Sequence, residues 1–192
     1  SALAAVTLPY AGNEVLQREL EQLLAGALHE FSSVDCRLNG GHTMQGTELG
    51  LGFVVNGVPL AGNGRLLAKT GAAVGDQLLL TKPLGTGTLF AAHMQLLADG
   101  RNIEAAVDSM MQGNGPAAEL ALTHGASACT DITGFGLLGH LLEMLSGERG
   151  AQLDLAALPL LEGALQSIEA GILSTMYPAN VASSARFMGR PV

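Results

Sequence analysis

The chain has 192 residues, a net charge of −8, and a hydrophobic content of 48% with only 4% aromatics and no Trp. A core built from Leu, Ala and Val favours layered packing of helices and sheets over an aromatic-rich sandwich. The negative charge argues against nucleic-acid binding, which needs a basic face, but not against a nucleotide ligand, because Mg²⁺ bridges acidic groups and phosphates.

The first third of the chain predicts a small α+β arrangement. Apolar residues recur at helical spacing along residues 13–31, and Asn13 can cap that helix. The unbroken run Phe53-Val54-Val55 indicates a strand that is buried on both faces. The predicted elements are a helix at 13–31 and strands at 3–8, 36–38 and 48–56.

Pro and Gly cluster at residues 57–64, which is typical of a linker. We expect a partial N-terminal domain at 1–58, a linker at 59–68 and a partial C-terminal α+β domain at 69–192. The predicted strands of the second domain are 77–81, 127–130 and 152–155, and its predicted helices are 88–98, 102–112, 116–124, 137–145 and 161–170. Beyond Ser174 no periodic pattern remains, and residues 186–192 fit neither a helix nor a strand.

Two segments share the pattern Thr-x-x-x-Gly-x-Gly between a predicted strand and a predicted helix. The 81–87 loop carries Lys82, and the 130–136 loop carries Asp131. Glycines at the exit of a strand let a ligand approach the backbone closely. One basic and one acidic loop together suggest a phosphate-and-metal site, although Lys82 alone is more typical of an exposed charge before a proline.

Asp131 lies between a strand and a glycine loop, so we expect it to be semi-buried, where an unpaired carboxylate is costly. It therefore needs a cation or several amide donors, and capping the helix that follows is an equally weighted alternative. Gly40, Gly41, His42 and Thr43 form a predicted turn whose consecutive amides can make an anion nest. On this motif alone, an ordinary glycine turn between two strands is the simpler interpretation.

His140, in the helix after the 130–136 loop, is more typical of a packed or surface histidine than of a ligand. Cys36 and Cys129 lack C-x-x-C spacing, which is typical of reduced thiols in a cytosolic protein. No signal peptide is visible, and no apolar run approaches the roughly 20 residues that span a bilayer. We expect a cytoplasmic protein without membrane contact.

Four strings resemble selenophosphate synthetase (selenide, water dikinase) in their order and spacing. They are Gly-Gly-His-Thr at 40–43, Leu-Thr-Lys-Pro-Leu-Gly-Thr-Gly at 80–87, Thr-Asp-Ile-Thr-Gly-Phe-Gly-Leu-Leu-Gly-His-Leu at 130–141 and Leu-Asp-Leu-Ala-Ala-Leu-Pro-Leu-Leu at 153–161. The wider aminoimidazole ribonucleotide synthetase-like superfamily shares the architecture but not these strings.

The resemblance implies a two-domain α+β architecture of the aminoimidazole ribonucleotide synthetase-like type, a homodimer formed through the N-terminal domains, and ATP held with Mg²⁺ near that interface. By position, the residues that match the nucleotide-contacting turn of the family are Gly40, Gly41, His42 and Thr43. Asp131 matches a Mg²⁺-binding aspartate. The reaction of the family converts selenide, ATP and water into selenophosphate, AMP and phosphate.

The reactive Cys or selenocysteine of the family, its catalytic Lys and several metal-binding aspartates match nothing in this chain, and neither Cys36 nor Cys129 stands at the reactive position. We therefore expect a central fragment with both domains incomplete, no catalytic residue of its own and no turnover. After the Gly-Gly-His, Met44-Gln45-Gly46 replaces an acidic stretch common in the family, while Glu48 is retained. The alternatives are another ATP-using enzyme of purine or thiamine metabolism and a non-catalytic dimerisation or regulatory module.

Overall fold

A computed structural model describes residues 1–59, 66–145 and 149–184 of the chain. These residues mix helix and strand, which confirms the α+β character, and they group into two compact units, Ser1–Pro59 and Leu60–Val192. The expected linker at 59–68 lies largely outside the described residues, as does the whole tail at 186–192, and the domain bounds stay a prediction. No helix within the described ranges is long and apolar enough to cross a membrane.

Unit 1 is a three-stranded sheet with one helix on one face. Its strands are β1 (Ala2–Pro9), β2 (Leu38–Gly46) and β3 (Gly50–Val55), in the order β2-β1-β3. β2 runs parallel to β1, whereas β3 runs antiparallel to it. A parallel neighbour requires a crossover connection, which the helix α1 (Asn13–Ser33) supplies.

The core of unit 1 lies between β1 and α1. Because side chains alternate along a strand, one face of β1 buries Ala4, Val6 and Leu8. The α1 residues that pack on them are Leu16, Leu20, Leu23 and Leu24. The predicted helix at 13–31 is confirmed and extends to Ser33, but its cap residue is Gly12 in place of Asn13, and Gly12 makes no side-chain cap bond.

The prediction that Phe53-Val54-Val55 is buried on both faces is wrong. β3 is an edge strand. Val54 lies on the face opposite α1 and is 62% exposed, and Val55, the last residue of the strand on the α1 face, is 60% exposed. Phe53 points to the helix and meets Phe31 edge-to-face, with ring centroids 5.1 Å apart. An unbroken apolar run therefore does not distinguish a central strand from an edge strand.

Unit 2 is mainly helical in its described part. Its helices are α2 (Thr86–Met94), α3 (Gly100–Met111), α4 (Gly115–Thr123), α5 (Gly136–Met144), α6 (Ala164–Glu169) and α7 (Tyr177–Ser184). The first five confirm the predicted helices, with ends shifted by a few residues, whereas α7 lies where no helix was predicted. Leu89, Ala106, Leu161 and Ala164 form the core between α2, α3 and α6, and α5 packs against α7.

The predicted strands of unit 2 at 77–81, 127–130 and 152–155 are wrong. Within the part of this unit that the structure describes, strand-type pairing is limited to a parallel bridge between Leu84 and Leu160. A strand is stable only beside a ladder partner, and an apolar run does not reveal whether one is available.

Local contacts replace the predicted ladders. The backbone amide of Cys129 donates to the carbonyl of Ala68 over 2.9 Å, so residues 127–130 lie beside the segment that precedes α2 without forming a sheet. Further along, Asp154 accepts a hydrogen bond from the amide of Ala156 over 3.0 Å and caps a short 3₁₀ helix, Leu155–Ala157. Asp favours such caps because its carboxylate satisfies a free amide.

Candidate functional site

The predicted nucleotide turn lies inside strand β2. Gly41, His42 and Thr43 stand opposite Ala4, Ala5 and Val6 of β1. The turn predicted at Gly40–Thr43 is therefore wrong, both as an ordinary glycine turn and as an anion nest. Successive amides of a strand point to opposite sides and cannot converge on one anion. A nucleotide role for these exposed residues stays a prediction.

Gly41 has a specific structural reason to be glycine. A Cβ atom at this position would overlap the carbonyl oxygen of Ala4 on the neighbouring strand. The glycine therefore permits a close approach of two backbones, which is the same property that suggested a ligand. His42 shares the sheet face of Ala5, away from α1, and β2 forms one edge of the sheet.

Lys82 in the 81–87 loop is engaged with the protein itself. Its ammonium donates to the carbonyl oxygens of Ser109 and Gln112 over 3.1 and 2.9 Å, at the carboxyl end of α3. The expectation of an exposed charge is wrong, since this half-buried side chain satisfies carbonyls that no longer have a partner within the helix. Lys82 thus acts as a helix cap in this structure.

Asp131 in the 130–136 loop differs from Lys82 in its burial and in its hydrogen bonding. It is exposed, not semi-buried, and among the described residues its carboxylate has no hydrogen-bond partner. The helix that follows, α5, has Phe135 at its cap and no side-chain cap bond, so the capping alternative for Asp131 is wrong. Its carboxylate is available to a ligand from solvent.

Side chains from two helices bind the 130–136 loop. The Thr133 hydroxyl and Nε2 of His140 on α5 are 2.9 Å apart, and the Asn180 amide on α7 donates to the carbonyl of Gly134 over 2.9 Å. His140 is buried, which agrees with the expectation of a packed histidine. Gly136 closes the loop with a left-handed φ of 68°, a conformation that favours glycine.

An ion pair adjoins this loop. Lys69 donates to Oε2 of Glu143 over 2.9 Å, and this hydrogen bond lowers the pKa of the Glu143 carboxyl below its ordinary value, with the charge of Lys69 adding to the effect. The same bond raises the pKa of Lys69, and the negative charge of Asp131 contributes in the same direction. Lys69 therefore lies within electrostatic range of Asp131.

The site could hold Mg²⁺ only if the cation also binds groups from outside the chain, such as waters and substrate phosphates. Within the described ranges, no group of three His, Cys, Asp or Glu side chains could hold a metal ion. Mg²⁺ commonly takes one or two protein carboxylates and completes its shell with waters and substrate phosphates. A single exposed carboxylate at Asp131 fits that pattern.

Elsewhere in unit 2, a cavity of about 320 Å³ lies between α2, α3 and α6 and contains none of the predicted site residues.

Comparison with known proteins identifies the second unit. The sequence pattern of the family described as AIR synthase related protein, C-terminal domain, matches residues 73–188. The chain belongs to the AIR synthase related protein family. The matched region contains both the 81–87 loop and the 130–136 loop.

Several curated relatives carry the name selenide, water dikinase. The protein of Trichlorobacter lovleyi is 40% identical over 89% of this chain and 49% of its own length. That of Pseudomonas straminea is 37% identical over 95% of the chain and 50% of its own length, and that of Campylobacter jejuni is 34% identical over 80% and 45%. The chain thus spans about half the length of the curated relatives that it matches.

Sequence reasoning missed Lys69, Glu143 and Asn180, which lie near Asp131 or hold its loop. Glu143 and His140 are three residues apart on one helix face, a spacing that signals contact. Lys69 and Asn180 carry no such signal, because they lie 74 and 46 residues from the groups that they bind. Only the packing of distant segments brings them to the loop.

Proposed function

We propose that the chain is part of a selenide, water dikinase, an ATP-dependent phosphotransferase that makes selenophosphate, AMP and phosphate from selenide, ATP and water. The relatives that carry this name support the proposal along 80–95% of the chain. The observation that carries it within the structure is the exposed Asp131 carboxylate, free of hydrogen bonds among the described residues.

Asp131 is proposed to hold Mg²⁺ together with ATP phosphates. When bound, the cation neutralises charge on the transferring phosphoryl group, and catalysis of this kind is mainly positioning and electrostatics. The contribution of this chain is to present one oxygen ligand from a loop that α5 and α7 restrain. Lys69, paired with Glu143, adds a positive charge near the same loop.

Gly40, Gly41, His42 and Thr43 are proposed to contact the nucleotide from the open edge of β2. An edge strand leaves every second backbone amide without a partner in the sheet, and these residues are exposed. His42 adds a ring nitrogen on the face opposite α1. This arrangement offers separate donors along a strand, in place of the converging amides of a nest.

The two-domain architecture and the homodimer of the family are also proposed for this protein. On the sheet face opposite α1, Leu3, Met44 and Val54 are 47%, 46% and 62% exposed, and no Asp, Glu, Lys or Arg of the three described strands shares that face. An uncharged apolar face of this kind suits a second copy of the chain. We expect the enzyme to act in the cytoplasm.

The test measures selenophosphate formation by phosphorus NMR in the full-length protein, with ATP, selenide and Mg²⁺. Asp131→Asn keeps the shape but removes the charge, so we expect the rate to fall about tenfold or more and the Mg²⁺ requirement to rise. Asp108→Asn on α3 is the matched control and should leave both unchanged. A normal rate and Mg²⁺ requirement in Asp131→Asn would show that this carboxylate is not a ligand.

The same assay on the wild-type protein distinguishes the proposed function from the two alternatives. ATP consumption without a need for selenide would identify another ATP-using enzyme of the superfamily. No ATP consumption at all would favour a dimerisation or regulatory module. The 192-residue chain alone is expected to make no selenophosphate, since no residue of it matches the reactive Cys or Lys of the family.

A further inference from the structure

A continuous series of polar contacts runs from the surface of unit 2 to the 130–136 loop. Oε2 of Glu143 accepts from Lys69 over 2.9 Å and lies 3.4 Å from Nδ1 of His140. On the other side of the imidazole, Nε2 lies 2.9 Å from the hydroxyl of Thr133. The imidazole thus joins an ion pair to the loop that carries Asp131.

The chemistry of the partners determines which ring nitrogen carries the proton. The Lys69 hydrogen bond lowers the pKa of Glu143, so at neutral pH its carboxylate is ionised and can only accept hydrogen bonds. In the neutral form of the ring, Nδ1 of His140 must then carry the proton, which leaves Nε2 as an acceptor. It follows that the Thr133 hydroxyl donates its hydrogen to Nε2.

Burial favours these two hydrogen bonds over hydrogen bonds from the ring to water. The His140 side chain is only 7% exposed, so water competes little for either nitrogen. Phe135 covers part of the ring, with centroids 5.9 Å apart. A buried histidine with a defined partner on each nitrogen transmits position from one partner to the other, as the outer partners of metal sites do.

We propose that His140, as the Nδ1–H tautomer, is a positioning residue that fixes the Thr133 hydroxyl and thereby the loop that presents Asp131 to a divalent cation. This inference rests on the proposed role of Asp131 and concerns a residue that touches neither substrate nor metal. Lys69 and Glu143 anchor the far end of the connection.

The first experiment determines the tautomer of His140. Nitrogen-15 NMR of the full chain separates protonated from bare ring nitrogens, and His140→Gln assigns the signal. We expect a protonated Nδ1 and a bare Nε2 at neutral pH. Glu143→Leu removes the acceptor and should abolish that preference, whereas Glu119→Leu on α4 should leave it intact. A protonated Nε2 in the wild-type chain would overturn the proposal.

The second experiment measures cation affinity, with Mn²⁺ as a paramagnetic probe followed by electron paramagnetic resonance. Thr133→Val removes the hydroxyl and should weaken Mn²⁺ binding about tenfold, as loss of an outer partner typically does. Thr133→Ser keeps a hydroxyl and should restore affinity to within about twofold of wild type. The matched control is Thr123→Val, because among the described residues the Thr123 hydroxyl donates to the Glu119 carbonyl of its own helix and to no other group.

Wild-type affinity in Thr133→Val, or equal losses in Thr133→Val and Thr133→Ser, would refute the positioning role. Leu141→Ala guards against a general loss of stability, because it removes a buried side chain of α5 outside the polar connection. It should lower stability without the selective loss of Mn²⁺ affinity.

Hydrogen exchange separates failure of this inference from failure of the proposed function. The Gly136 amide donates to the Thr133 carbonyl over 2.9 Å, so Thr133→Val should accelerate its exchange about fivefold. If Asp131→Asn leaves Mn²⁺ affinity unchanged, the metal role of Asp131 fails, and exchange at Gly136 decides the positioning role alone. Unchanged exchange in Thr133→Val would then reject it.

Discussion

The 81–87 and 130–136 loops have the same glycine spacing and the same place before a helix, yet the structure uses them in opposite ways. In the first, the Lys82 ammonium binds two carbonyls at the end of α3, and Gly85 lies against α6. In the second, the Asp131 carboxylate is exposed, and the loop around it is held by side chains from α5 and α7.

The difference shows what a glycine pattern determines. The pattern predicts the first residues of α2 and α5 to within two residues, because glycines at these points allow the sharp change of backbone direction before a helix. It does not determine whether the charged residue that precedes the glycines is satisfied within the protein. That depends on which distant helix ends beside it.

The largest change in the free energy of unfolding should come from replacing a loop glycine with alanine. Gly85 has a φ of 129°, and a Cβ there would lie 2.5 Å from the Cβ of Ala164, so Gly85→Ala should lower the free energy of unfolding by about 2–4 kcal/mol. Gly134→Ala should cost less than about 1 kcal/mol, since its nearest neighbour would be Cγ of Met176 at 3.7 Å. Urea denaturation measures both.

Gly115→Ala serves as the control for the glycine series, because among the described residues no atom beyond its chain neighbours and its own helix backbone lies within 4 Å of the added methyl group. It should be neutral or slightly stabilising. Equal losses in Gly85→Ala and Gly134→Ala would mean that the two loops are packed alike.

The next largest difference between the two loops should appear in the free energy of unfolding when Lys82 or Asp131 is replaced by an uncharged residue. Lys82→Met breaks two charge-assisted hydrogen bonds at a half-buried position and should lower the free energy of unfolding by about 1–3 kcal/mol. Asp131→Asn should change it by less than about 0.5 kcal/mol. Thermal denaturation of both variants, beside Lys69→Met as an exposed lysine, tests this order. A larger loss in Asp131→Asn than in Lys82→Met would reverse the assignment of roles.

A smaller effect is expected at Asn180. Asn180→Ala removes the donor to the Gly134 carbonyl and should cost about 1 kcal/mol, with faster hydrogen exchange in the 130–136 loop. Asn114→Ala is the control, because the Asn114 side chain makes no cap bond to α4. Exchange rates that stay unchanged in Asn180→Ala would mean that α7 does not restrain this loop.

The smallest effect is a pH dependence near the 130–136 loop. The hydrogen bond from Lys69 lowers the folded-state pKa of Glu143, so this carboxylate stabilises the fold fully above its ordinary pKa of 4.5. The contribution is lost as the pH falls through the lower folded-state value. Denaturation midpoints between about pH 6 and about pH 3 should therefore fall less steeply in Glu143→Gln than in wild type. Identical slopes would show that the pair makes no net contribution, as many exposed pairs do.

Helices were easier to predict than strands because a helix satisfies its own backbone. The apolar spacing from Val15 to Phe31 was sufficient to predict α1, and five helices of unit 2 followed from similar local signals. A strand depends on a neighbour that local sequence does not specify, so residues 77–81 were wrongly predicted. α7 was missed because Tyr177 and Pro178 open a helix that lacks a clear apolar face.

By itself, the sequence determined the α+β class, most helices and the family, because periodicity and specific strings are local properties of the chain. Tertiary structure alone decided that Gly41 lies in a strand, that Lys82 caps α3, and that the Asp131 carboxylate has no hydrogen-bond partner among the described residues. It also brought Lys69 to Glu143 across 74 residues. Whether a polar group is satisfied or available depends on what packs against it, and only the folded chain specifies those neighbours.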